Sequence, residues 1–155
     1  MATKQQELQR IIRLYKQDTG ATEVDMHEIA TYAVERLKMP LPKPVNPLDL
    51  LASQFSQAAR EEIRHDKKTG WPYRANHAIP IGQTYIWVDI DEAPRGHIHK
   101  SLINRREQIV GDAVQLAFDG EHWNSIHPDE EPIIIPMDFT DDVEWRKNGP
   151  LGKVG

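Results

Sequence analysis

The sequence predicts an α+β fold, mainly helical with one β-hairpin, and three observations predict it. Four stretches carry apolar residues at helical spacing behind capping residues. One stretch, residues 73–90, carries strand-type residues around a turn. The chain has 155 residues, 39% of them hydrophobic and 28% charged, enough for one core and unlike a disordered composition.

Each element follows from its own signals. Thr3 with Gln6 forms a capping box, and Leu8, Ile11, Ile12 and Tyr15 recur at helical spacing until Thr19-Gly20. Asp25 with Glu28 opens a second helix, Asp25 to Lys38, whose stripe is Met26, Ile29, Ala30, Ala33, Val34 and Leu37. That stripe is expected to pack on Leu8, Ile12 and Phe55. Prolines at 40, 42, 44 and 47 make a stiff connector, after which Asn46 and Pro47 start a third helix. Its expected buried residues are Leu48, Leu51, Ala52, Phe55, Ala59 and Ile63, and it is expected to end near His65 to Lys68.

The hairpin runs from Tyr73 to Ile79, turns through Pro80-Ile81-Gly82-Gln83, and returns from Thr84 to Ile90. Ile86, Val88 and Ile90 share one face, expected to point inward, and Tyr85, Trp87 and Asp89 the other. Asp91 is the expected cap of a fourth helix, 92–118, closed by Asp119-Gly120, with a short helical turn at His122-Trp123. Residues 1–127 are thus read as one globular domain and 128–155 as an acidic segment rich in Pro and Gly. Within that segment Ile133-Ile134-Ile135 is expected to dock as an edge strand.

Composition narrows the class. Without cysteine there is neither a disulfide framework nor a thiolate metal site, and a reducing, cytoplasmic setting is the expectation. No stretch approaches the roughly 18 apolar residues that span a bilayer, so no membrane association is expected. The net charge of −5 argues against a protein that coats nucleic acid over its whole surface. Charge is nevertheless segregated. Arg95, Lys100, Arg105 and Arg106 occur between 95 and 106 without an acid, and seven acids occur from Asp129 to Glu144 without a Lys or Arg. The basic start of the fourth helix is therefore expected to lie against Asp138 to Glu144 unless a polyanion takes that place.

The order helix, short extended stretch, helix, helix, hairpin, helix over residues 3 to 91 resembles a winged helix-turn-helix domain. The resemblance implies that the third helix and the wing carry cations toward DNA. Arg60, Arg64, Lys67, Lys68 and Arg74 lie there, against Glu61, Glu62 and Asp66. Trp71 and Tyr73 add flat rings that stack on bases, or that cap the core instead. Two features depart from the pattern: the proline-rich connection before the third helix, and a first half of that helix with few base-reading side chains beyond Ser53, Gln54, Ser56 and Gln57. With Lys100, Arg105 and Arg106, these residues form the expected nucleic-acid-binding set.

Metal and catalytic chemistry find little support in the spacings. His97 and His99 lie two apart on an expected helix, about 200° round its axis, and are not expected to be metal ligands. His122 and His127 flank a turn, and Asp89 with Asp91 is better explained by helix capping. The sequence has no His-Glu-x-x-His, phosphate-binding glycine loop or Gly-x-Ser-x-Gly elbow. The expected function is thus a small, bacterial-type nucleic-acid-binding or regulatory protein, non-catalytic, without metal or cofactor, with DNA or another polyanion as partner. The alternative is an interaction or assembly module, a homodimer through 92–118 with a protein partner docked at 129–145. A His/Asp-dependent hydrolase comes third.

Overall fold

The computed structural model describes residues 1–149, so the end of the acidic segment, 150–155, lies outside the described residues. The chain is mainly helical α+β: α1 (Lys4–Thr19), α2 (Met26–Glu35), α3 (Pro47–Glu61), β1 (Ile63–His65), β2 (Pro72–Arg74), β3 (Asn76–Ile81), β4 (Thr84–Asp89), α4 (Arg95–Ile126) and α5 (Thr140–Asn148). It divides into two units, Met1–Pro47 and Leu48–Gly155. No helix among the described residues is long and apolar enough to cross a membrane.

In the first unit, the Thr3–Gln6 capping box forms in both directions, and Gly20 closes α1 in the left-handed conformation at φ 71°. Asp25 Oδ1 accepts from the N–H groups of His27 and Glu28, while the Glu28 carboxylate takes the Tyr15 hydroxyl at 3.3 Å. Ile11, Ile29 and Ala33 are buried together, with Ile12, Tyr15, Val24, Tyr32 and Met39 packed round them. The Tyr15 and Tyr32 rings meet edge to face at 5.2 Å, and Tyr32 hydrogen-bonds Asp18. The expected extent of α2 is corrected. It ends at Glu35, because Lys38 turns to φ 58° and Met39 N–H closes back on Ala33 O at 3.0 Å. Met26, at 62% exposure, and Leu37 lie outside the core, as does Phe55 at 68%.

The second unit departs further from expectation. α3 stops at Glu61 and buries none of its residues, and Ile63 lies on a strand instead of a helix. Among the described residues there are two hairpins where one was expected. β1 pairs antiparallel with β2 in register Ile63↔Arg74, Arg64↔Tyr73, His65↔Pro72, and β3 pairs with β4 from Asn76↔Asp89 to Ile81↔Thr84. Fully buried Ala75 is the reason: its N–H goes back to Glu62 O at 3.1 Å, and its carbonyl accepts from Ile90 N–H at 2.9 Å. One residue thus ends the first ladder and fastens the second. The β3–β4 turn is two residues long, not the four from Pro80 to Gln83, and Gly82 supplies the positive φ, 60°, that such tight turns require.

Asp91 does not cap α4. Pro94 opens the helix, and the Asp91 carboxylate is held by Arg64 and Tyr73. Nor does Gly120 close it, since one interior glycine costs a helix only about 1 kcal/mol. α4 runs 32 residues, absorbing the turn at His122-Trp123, until the His127 backbone N–H and Nδ1 both donate to Trp123 O and the two rings stack at 4.2 Å. Ile133 to Ile135 extends neither sheet. Asn124 on α4 receives it instead, and Ile135 packs beside Gly120. The acidic segment is not extended throughout, because 140–148 forms α5.

Candidate functional site

A groove of about 640 Å³ opens in the second unit, lined by side chains of α3, the β-strands and α4. α3 brings Ser56 and Arg60 one turn apart, β2 brings Arg74, and α4 brings Ser101, Asn104, Arg105 and Gln108. Asn76, His77, Ala78, Thr84, Tyr85 and Trp87 come from the second hairpin. Among the described residues its lining therefore holds three guanidinium groups, two aromatic rings besides the imidazole, and no carboxylate.

Local structure places several of these groups. Trp87 stands opposite Ala78 and Tyr85 opposite Pro80, so both rings project from the same face of the hairpin. The Arg60 guanidinium lies 5.5 Å from the centre of the Trp87 ring. Arg74 Nη1 is 3.5 Å from Arg60 O, and the Asn76 amide donates to Ala59 O and Glu62 Oε1 at 3.1 and 3.0 Å, tying α3 to β3.

Buried His77 holds α4 to the hairpin. A carbonyl only accepts, so His77 Nε2–H donates to Arg74 O at 3.2 Å, and Nδ1 accepts from the buried Ser101 hydroxyl at 2.9 Å. Burial holds the imidazole below its ordinary pKa, the Arg74 carbonyl works against that, and the Arg105 and Arg74 charges add to the lowering. The imidazole is neutral, and the positive charge of the groove comes from its arginines.

Other residues expected in the site serve elsewhere. Arg64 spans Asp89 with both terminal nitrogens, at 2.8 and 2.7 Å, and reaches Asp91 at 2.8 Å; the Tyr73 hydroxyl donates to the same Asp91 oxygen at 3.0 Å. These contacts hold Arg64 well above and Asp89 below their ordinary pKa values and link the first hairpin to the end of β4. Lys67, Lys68 and Trp71 surround a separate, more open hollow at the β1–β2 turn. Asp66 Oδ1 shapes that turn by accepting from Lys68 and Thr69 N–H, and Lys147 Nζ lies 4.9 Å from the Trp71 ring centre.

Lys100 donates to Pro80 O at 2.8 Å, and Arg106 lies 3.6 Å from its neighbour Glu107. Among the described residues no ion pair joins Arg95–Arg106 to Asp138–Glu144, and the acidic segment docks at the far end of α4. Beyond that docked stretch the chain reaches the first hairpin, where Lys147 meets the Trp71 ring. Compared with family models, curated proteins and solved structures, the chain matches none.

Of the ten expected site residues, the groove gathers Arg60, Arg74 and Arg105. Sequence reasoning missed Trp87, Tyr85 and the amides of Asn76, Asn104 and Gln108. The available signal was the strand alternation that puts Tyr85 and Trp87 on one face.

Proposed function

We propose that the protein binds nucleic acid in its cytoplasmic setting, as a non-catalytic module that grips a single strand in the groove between α3, the second hairpin and α4. One observation carries this reading: Arg60, Arg74 and Arg105 share the groove with Trp87 and Tyr85, and no carboxylate among the described residues lines it. Guanidinium groups bind phosphate bidentately, and aromatic faces stack on any unpaired base. Amides of Asn76, Asn104 and Gln108 supply donors and acceptors for base edges. A single strand suits the site better than a duplex, because stacking needs unpaired bases and the rings stand among the cations. Binding of this kind requires no winged-helix geometry, although the element order that suggested one points to the same ligand class.

The test is fluorescence polarisation with a labelled single-stranded oligonucleotide and its duplex at several salt concentrations. Three phosphate contacts predict a slope of log affinity against log salt of about −2 on single strands. Polarisation that does not change with either probe would refute the proposal.

A further inference from the structure

We propose that α4 pairs with α4 of a second copy of the chain, antiparallel, along a seam of Leu102, Ile109 and Leu116. The amphipathic pattern of α4 is inverted relative to its own unit. Ser101, buried against the hairpin, and Asn104 and Gln108, in the groove, lie roughly 100 to 160° round the helix from Leu102. The apolar side chains point elsewhere. Leu102, Ile109 and Leu116 are spaced seven apart, within about 40° of one another, and all are exposed, Ile109 to 59%. Ile103, Val110 and Val114 widen the same exposed stripe. Helices with a stripe of this kind bury it against another element; the hairpin meets the polar side of α4, and the chain's own Ile133 to Ile135 meets the stripe beyond Leu116, at Gly120 and Asn124.

Charge identifies the occupant. From Arg95 to Arg106 α4 holds four cations and no acid; from Glu107 to Ile126 it holds Glu107, Asp112, Asp119 and Glu121 and no Lys or Arg. A lone helix favours the opposite arrangement, with acids near its N-terminus and bases near its C-terminus, and α4 has neither in those turns. An antiparallel copy sets each basic half beside an acidic half and offsets the unfavourable dipole at both ends. A parallel copy would set like charges together. The sign reversal falls between Arg106 and Glu107, close to Ile109, so the two-fold axis that superposes opposite charges also places Ile109 near its own copy and Leu102 near Leu116. This pairing does not depend on nucleic-acid binding at the groove.

The experiment uses the full chain, which has no cysteine, with single cysteines introduced along the seam. Sedimentation equilibrium should give twice the 17.8 kDa chain mass. Under mild oxidation Ile109→Cys should cross-link to itself. Leu102→Cys and Leu116→Cys should each stay uncross-linked alone, since like positions lie about 21 Å apart in this register, and should cross-link when the two chains are mixed and allowed to exchange. A monomer mass at every concentration overturns the proposal. So does cross-linking of all three variants alone, the parallel outcome, and so does a dimer that cross-links at none of them.

Discussion

Asn124 holds Ile133 by both its backbone groups: the side-chain amide donates to Ile133 O at 2.9 Å, and Ile133 N–H donates to Asn124 Oδ1 at 2.8 Å. One side chain thereby does for an extended segment what a neighbouring strand would do. Two such bonds contribute about 1 to 3 kcal/mol together. Asn124→Ala should therefore speed hydrogen exchange at the Ile133 amide by roughly tenfold or more. Asn124→Asp keeps the acceptor for the Ile133 N–H but sets a carboxylate oxygen against the Ile133 carbonyl, so it too should speed exchange. Unchanged exchange in both variants would mean that the segment is held by something else.

The buried aliphatic sites make a second prediction. Ile29 in the first unit and Ile79 in the second are enclosed, so truncating either to Ala should cost about 2 to 5 kcal/mol in urea unfolding. Met26, on the same helix as Ile29 but exposed, should lose within about 0.5 kcal/mol on the same truncation. Equal losses at Met26 and Ile29 would place the core on another face of α2.

The contrast between those two residues shows what the sequence made legible. Caps and periodicity located α1, α2 and the start of α3, because a capping box and a helical stripe are local and need no tertiary partner. The stripe could not say which of its members reach a core, so Met26 and Ile29 looked alike. Ile63 fits a helix when counted from Ala59 and a strand when set opposite Arg74, and only the partner decides. Ala75 carries no local signal for the division into two hairpins; its N–H and carbonyl are drawn to Glu62 and Ile90, distant in sequence. In the candidate site the cations were legible as a set, but not which of them are spent on Asp89 and Asp91.

His77 makes stability depend on pH. Burial chiefly, then the Arg105 and Arg74 charges, holds its folded pKa below the ordinary value near 6.5, with the Arg74 carbonyl opposing. Below that value the unfolded chain takes up a proton that the folded chain resists, so stability is whole above about pH 6.5 and falls as pH drops toward the folded pKa. The urea midpoint should decline from pH 7.5 to 5.5, and His77→Gln should flatten part of that decline. A decline of the same size in the variant would show that other groups cause it.

Arg64 and Arg105 should separate folding from binding. Arg64 is committed to Asp89 and Asp91, whereas Arg105 lines the groove and makes no ion pair among the described residues. Arg105→Ala should reduce the magnitude of the salt slope on single-stranded oligonucleotide by about 0.7, the share of one phosphate contact, while the melting temperature stays close to wild type. Arg64→Ala should do the reverse, lowering the melting temperature and leaving the slope unchanged. The acid limb sharpens the comparison. The Arg64 hydrogen bonds hold Asp89 below its ordinary pKa of 3.8, so their stabilisation is present above that value and is lost as pH falls through the folded pKa. Arg64→Ala should therefore remove part of the acid sensitivity below about pH 4, and Arg105→Ala should leave it intact. If Arg64→Ala flattens the salt slope and Arg105→Ala does not, the bound strand runs over the first hairpin instead of through the groove.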